Sequence, residues 1–437
     1  MASSRPVPAN KILLIFSQTF VPDPAAVGQY MADVAIEMAR RGHRVRVYAS
    51  ARGYEDPTLR YPRRENLAGV DVRRLAFTSF GKKNLLTRIV GTASFLIQCF
   101  FIGLFTRPLG GIFFSTSPPM IGFTACWLGL LRRVPVAYWA MDLNPDQLIV
   151  MGKIKAHSLR ARLLEAVNRF ILRRSAVIFA LDRFMAERLN GRGNFAAKIR
   201  IDPPWPHDSV IEPLEHRDNP FRIHHQLEGK FVIMYSGNHG MGTPVTTVLE
   251  AAAQFREDKR LVFMFIGGGV GKCEVEFCIK DRRLTNVVSL PYQPLADLKY
   301  SLSAADVHLV TLRDNLQGII HPCKIYGAMA VGRPILFVGP RPSHITDIFD
   351  SSPIGWQVAQ GDVAGCIATI RRILSTPQAD LARMGRLGQR LLRDTLSQGL
   401  LAGRFCDSLQ AALCLRPAAR PGRTDAAAPA SRGPHGL

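Results

Sequence analysis

In the stretch GIIHPCKIYGAMAVGRPIL (318–336), Lys324 opens a helical pattern of small residues, with His321 just before it and Arg333 just beyond. An ammonium beside a helix N-terminus, with an imidazole and a guanidinium nearby, is an anion-binding set, and phosphate is the anion it suits. The segment carries no carboxylate, so it brings no acid of its own. A second phosphate candidate is SGNHGMGTP (236–244). Gly237, Gly240 and Gly242 allow close backbone approach to a ligand, and the helix that follows turns unpaired N–H groups toward the loop. A plain tight turn would use the same glycines. Carboxylates enter at YWAMDLNPDQ (138–147), where Asp142 and Asp146 flank an Asn144-Pro145 turn. Asp142 there is a base, an acceptor for a sugar hydroxyl, or a cap on the next helix. GGGVGK (267–272) is not a Walker loop, because Ile266 stands where the first glycine is required and Cys273 replaces the magnesium-binding Ser or Thr. Gly267 and Gly269 are still placed to border a nucleotide pocket.

All of these residues follow apolar runs of strand length. Lys11-Ile-Leu-Leu-Ile-Phe16 reads as a parallel strand buried on both faces. After the Pro-rich loop VPDPAAVGQ, the residues Val27, Tyr30, Met31, Val34, Ala35 and Met38 recur at helix spacing, and Arg40-Arg41-Gly42 ends that helix. HRVRVYAS (43–50) completes a βαβ unit. Further strands are expected at 112–116, 134–140 and 176–181. The pattern then restarts with KFVIMYSG (230–237), a helix carrying Val248, Leu249 and Ala252, and LVFMFIGGG (261–269). Two βαβ series separated by the Pro-rich IDPPWPHD (201–208) predict an α/β chain of two Rossmann-like, doubly wound parallel-sheet domains facing a cleft. They span 1–210 and 211–414, with a linker near 203–220, and the ligand lies between the carboxyl ends of the two sheets. Residues 415–437, rich in Pro, Ala, Arg and Gly without periodicity, are expected to be a disordered tail.

Length and charge agree with this division. A chain of 437 residues exceeds one ordinary core. Lys and Arg outnumber Asp and Glu 56 to 34, a net charge of +22, which implies an acidic partner. Basic and aromatic residues do not interleave as in nucleic-acid-binding motifs, so no nucleic acid is expected. The basic residues instead accompany apolar segments. Residues 89–106 carry no charge, 117–133 end in paired arginines, and 153–174 set Leu159, Leu163, Val167, Phe170 and Ile171 among lysines and arginines. That combination predicts peripheral contact with an anionic membrane surface, 89–106 dipping into it rather than spanning it, the alternative being sheet-covering core helices, above all for 153–174. The eight cysteines form no CxxC pair or metal-ligand spacing and read as thiols of a reducing compartment. No apolar signal-peptide core precedes Lys11, so a cytoplasmic location is the expectation.

Several segments, in order across roughly residues 11 to 400, together resemble the family 4 retaining glycosyltransferases of the GT-B fold, particularly the WbuB-type branch of bacterial surface polysaccharide synthesis. They are PDPAAVGQYMADVAIEMARRGHRVRVYAS, STSPPMIG, YWAMDLNPD, FALDRFMAERL, MYSGNHG, FIGGG, LSAADVHLV and HPCKIYGAMAVGRP. The resemblance implies sugar transfer from a nucleotide-sugar donor with retained configuration, without an essential metal or other cofactor, onto a lipid-linked glycan acceptor at the inner membrane face. The donor is implied to lie on the second domain and the acceptor on the first. The family's two Glu positions fall on Ile319 and Gly327, and its diphosphate-clamping Arg and Lys fall on Asn238 and Thr243, so all four charged groups are absent here. Lys324 then becomes the leading group for the donor diphosphate, and Lys324 and Asp142 are the candidate catalytic residues, Asp142 from its place after a strand. Gly28, Gly237, Asn238, Gly240, Gly267, Gly269, His321, Tyr326, Gly327 and Arg333 are the implied donor contacts, with Gly28 offering its N–H across the cleft. A GT-B sugar-nucleotide epimerase and a non-catalytic GT-B glycan- or nucleotide-binding protein are the alternatives, the second sustained by the missing charged pairs.

Overall fold

The computed structural model describes residues 11–23, 25–53, 56, 58–78, 85–206 and 213–415. The tail from 416 onward, part of the expected linker and residues 1–10 lie outside them. The strands, in chain order, are β1 Ile12–Phe16, β2 Arg44–Ser50, β3 Arg64–Leu67, β4 Val70–Leu75, β5 Leu109–Ser115, β6 Val136–Trp139, β7 Val177–Ala180 and β8 Ile199–Ile201 in the first half. The second half holds β9 Phe231–Ser236, β10 Leu261–Ile266, β11 Val287–Leu290, β12 Val307–Thr311, β13 Ile335–Val338 and β14 Gly355–Val358. The first sheet runs β3-β4-β2-β1-β5-β6-β7-β8 and the second β11-β10-β9-β12-β13-β14. Every pairing is parallel except that of β3 with β4.

Parallel order explains the apolar runs. Each central strand is covered by helices on both faces, so all five residues of β1 and of β12 are buried. The β1–helix–β2 unit forms as read, with the Ala26–Arg40 helix burying Tyr30, Met31, Val34, Ala35 and Met38. The order reverses beside β1 in the first sheet and beside β9 in the second. These are the points where an open parallel sheet leaves a crevice at its carboxyl edge.

The helix Gln398–Ala412 crosses back to the first domain, although its sequence position groups it with the second. Phe405 is fully buried there, its ring centroid 4.0 Å from that of Phe179 and 4.4 Å from that of Trp139. Arg404 donates to Asp202 at 2.8 Å, and Arg41 donates to Gly403 O at 2.9 Å. Leu415, read as the first tail residue, is buried beside Gly110.

All but the last residue of the uncharged 89–106 run lies within a helix, Leu85–Phe105, long and apolar enough by length and composition to cross a membrane. Its flanking strands, β4 and β5, belong to one sheet. Phe95 and Cys99 are buried in the core, and Arg132 caps its C-terminal carbonyls, donating to Gly103 O at 3.1 Å and Thr106 O at 2.9 Å. Leu86, Ile89, Val90, Ile97, Phe101 and Phe105 remain exposed on its other side. Phe123, Trp127 and Leu131 on the neighbouring Ile121–Arg132 helix continue that apolar face. Leu159 and Leu163 on the Leu159–Arg174 helix extend it again, among exposed Arg160, Arg162 and Arg169.

Candidate active site

Between the domains, at the carboxyl edges of both sheets, lies a cavity of about 320 Å³. From the first domain it takes Asp142, Gln147 and Met151. From the second it takes the loop after β9 with Asn238, Gly240 and Thr243, the end of β12 with Thr311, and the His321–Lys324 segment. Asp142 and Lys324, widely separated in sequence, therefore face one space.

Lys324 is the first residue of the Lys324–Ala330 helix. Its chain lies across Gly237, where an added Cβ would come within 2.7 Å of the lysine Cε, and its Nζ sits 5.1 Å from the Tyr235 ring centre. Gly237 has φ +130°, a conformation that side chains other than hydrogen rarely tolerate. The ammonium makes no hydrogen bond or ion pair among the described residues, so its donors point into the cavity unspent. The loop beneath it is braced internally. Tyr235 donates its hydroxyl to Asn238 O at 2.6 Å, and Gly240 N donates to Thr243 Oγ1 at 3.1 Å. Gly267 and Gly269 pack against the backbone of Gly237 and His239, which supports the loop without reaching the cavity wall. Lys272 of the GGGVGK run is spent on Gly267 O and Leu290 O, as befits a structural lysine.

Asp142 is the carboxylate that faces this cavity. Protein atoms crowd it, and that desolvation raises its pKa from 3.8 to about 6. Asp146 turns away instead and pairs with Arg192, which also holds Glu165 at 3.2 Å.

His321 borders the cavity, but both of its ring nitrogens are engaged. A carboxylate only accepts, so Nδ1–H donates to Asp182 Oδ2 at 3.0 Å, and Nε2 lies 2.9 Å from the Tyr326 hydroxyl. Tyr326 continues to His344 Nε2 at 3.3 Å. Burial acts to raise the Asp182 carboxyl, yet the His321 hydrogen bond and charge outweigh it and leave it below the ordinary value. Asp182, His321 and His344 offer ligand-type atoms within 4.8 Å of one another, the arrangement among the described residues suited to a metal ion. Hydrogen bonds already occupy the Asp182 and His321 atoms.

Besides Gly267 and Gly269, four more of the expected donor contacts sit away from the cavity. The Gly28 N–H donates to Ala25 O at 2.9 Å, within the first turn of its helix, and an added Cβ would press on the Thr19–Phe20 backbone, so that glycine serves close packing. Arg333 precedes β13 and therefore lies at the amino edge of the second sheet, opposite the cavity, where it donates to Ser303 O at 3.1 Å. Tyr326 and Gly327 are buried in the Lys324 helix and do not line the cavity. Conversely, Thr311 was not anticipated. Its buried hydroxyl has no partner among the described residues and it lines the cavity at the end of β12. The carboxyl end of VHLVT, a strand beside the order reversal, was the available signal.

Residues 25–205 match the glycosyl transferase 4-like domain. The glycosyltransferase WbjE of Pseudomonas aeruginosa is 27% identical over 354 residues, covering 80% of this chain and 85% of the relative. WcaI of Escherichia coli K12, named as a colanic acid biosynthesis glycosyl transferase, is 24% identical over 383 residues, covering 84% and 93%. Over residues 25–205 the chain thus resembles a glycosyl transferase 4-like domain. Among solved structures, Anabaena HepE in complex with UDP and glucose superposes with a TM-score of 0.67 at 12% identity, covering 92% of this chain and all of that one. The fold is thus GT-B, two parallel-sheet domains across a cleft. Ile319, the first of the two positions where the resembling family carries Glu, is fully buried, and its carbonyl accepts Leu143 N–H at 3.2 Å. A carboxylate there would be sealed in an apolar contact between domains, which gives a physical reason for the isoleucine.

Proposed function

We propose that the protein transfers a sugar, with retention, from a nucleotide-sugar donor to a lipid-linked glycan acceptor in surface polysaccharide synthesis, while attached to the cytoplasmic face of the membrane. The observation that carries this reading is the unspent Lys324 ammonium facing Asp142 across one interdomain cavity. When the bond from the anomeric carbon to the diphosphate breaks, negative charge gathers on the leaving phosphate oxygen, and a fixed cation near it stabilises that state more than the ground state. Lys324 supplies this cation where the Arg and Lys of other family members are replaced by Asn238 and Thr243. Asp142 receives a sugar hydroxyl, and Thr311 offers a further hydroxyl contact at the cavity floor. The bound UDP of HepE and the name of WcaI support the donor class and the polysaccharide context. The exposed apolar face of the Leu85–Phe105 and Ile121–Arg132 helices, with arginines beside it, supports a surface-lying attachment. A true span would strip Phe95 and Cys99 out of the core.

The test is nucleotide release from a panel of UDP-, GDP- and dTDP-sugars, with and without membrane lipid extract. Release that depends on the lipid extract is expected. Release at full rate without any acceptor would indicate hydrolysis or epimerisation, and failure to bind every donor would sink the enzymatic reading.

A further inference from the structure

We propose that Asp182, in the first domain, is the positioning residue of the donor site: it grips His321 of the second domain and so seats Lys324 only when the two domains meet. The inference rests on the reading of Lys324 as the diphosphate contact and adds that this contact is assembled by closure. The segment ahead of Lys324 is held to the first domain at alternate residues. Ile319 O takes the Leu143 N–H at 3.2 Å, and His321 Nδ1–H reaches Asp182 Oδ2 at 3.0 Å. Leu143 follows Asp142 directly, so the first clip also fixes the cavity's carboxylate against the lysine's own loop.

Asp182 is itself rigidly placed. Its Oδ1 accepts Met185 N–H at 2.8 Å as the N-cap of the Arg183–Asn190 helix, which leaves Oδ2 aimed across the boundary. On the far side, His321 passes the constraint to the Tyr326 hydroxyl at 2.9 Å, and Tyr326 lies on the first turn of the helix that Lys324 begins. Just ahead of the two clips, Gly318 adopts φ +69° and runs so close to Phe184 that an added Cβ would lie 2.5 Å from its carbonyl carbon. Both Asp182 and His321 are buried. Removing either partner strands a polar group away from water, so the contact is favourable as a pair and costly to break. When the domains part, His321 loses its Asp182 partner and the segment bearing Lys324 loses both clips, together with the bond from Arg188 to Gln317 O at 2.8 Å. The second domain alone therefore does not carry a finished diphosphate site, and a residue that never touches the donor governs its affinity.

A double-mutant cycle read by calorimetric binding of UDP separates positioning from general support. Asp182→Asn keeps the helix cap but loses the charged acceptor, and is expected to weaken UDP about tenfold in the wild-type background. In the Lys324→Ala background the same change is expected to cost no more than about twofold, because the two residues act through one contact. Equal losses in both backgrounds would overturn the proposal. His321→Asn, which returns an N–H donor near the Nδ1 position, should retain most of the affinity that His321→Ala loses. Hydrogen exchange of the donor-free protein provides a readout independent of any nucleotide. Amides of 316–326 should exchange faster in Asp182→Asn while those of β1 and β9 do not change. Unchanged exchange in 316–326 overturns the latch whatever the protein binds. Faster exchange in a protein whose wild type binds no UDP, GDP or dTDP upholds the latch and counts against the transferase reading alone.

Discussion

The Lys324 side chain occupies the space that a Cβ on Gly237 would need, its Cε 2.7 Å from that position. Glycine at 237 and lysine at 324 are thus one structural unit, contributed by loops after two different strands. Gly237→Ala must move the ammonium or distort a backbone already at φ +130°, a strain of about 1–3 kcal/mol. Donor turnover should fall by about tenfold or more in kcat/KM, with a measurable loss in Tm.

Lys324→Ala removes the cation without disturbing any hydrogen bond of the described residues. Transfer should drop by about a hundredfold or more, the scale for loss of one charge-stabilising group. The melting temperature should stay within a few degrees of wild type, and unchanged turnover would refute the role assigned to this lysine.

Asp142 makes a prediction in pH. Its carboxyl titrates near 6 when folded and near 3.8 when unfolded, so the unfolded chain more readily holds the charged form, and ionisation destabilises the fold above that range. Asp142→Asn should therefore melt higher than wild type at pH 7.5. The gain should shrink as pH falls through 6 and vanish near 4. The same variant should lose transfer at pH 7.5, and a variant that keeps full turnover would remove Asp142 from the chemistry.

Flotation with vesicles tests the apolar face. Phe101→Asp combined with Trp127→Asp removes two exposed aromatic anchors, each worth about 1.5–3 kcal/mol when buried. Binding to vesicles containing anionic phospholipid should fall at least tenfold while UDP binding is unaffected. Wild-type binding should weaken as salt is raised, because arginines flank the patch. Equal flotation of the two proteins would exclude this face.

Phe405→Ala empties a site closed by Phe179, Trp139 and Phe113. The expected cost is about 3–5 kcal/mol, read in a denaturant melt. The loss should appear in the first domain, although the residue follows the whole of the second.

The two-domain architecture was legible because a parallel strand covered on both faces must be apolar throughout, as KILLIF, KFVIMYS and LVFMFI are. The β3–β4 hairpin escaped notice, since RENLAGVDVRRL at a sheet edge mixes charges with few apolar residues. Lys324 and Asp142 were legible from their places after strands. Arg333 lies away from the cavity because it comes before β13, and residues before a parallel strand lie at the edge away from the ligand. The partner of His321 is 139 residues distant, and no local pattern announces it. Ile319 looked like a lost carboxylate, whereas its burial shows a position given over to interdomain packing.

The return of the Gln398–Ala412 helix to the first sheet sets an order for biosynthesis. A ribosome releases β1 to β8 first, and Trp139, Phe179 and Phe113 then lack the Phe405 ring that packs on them until the entire second domain has been made. At about 5–20 residues per second, the interval from β8 to Phe405 lasts roughly 10–40 seconds. During that time the nascent first half presents an aromatic surface to chaperones and to other chains, and premature termination anywhere before residue 398 leaves it permanently open.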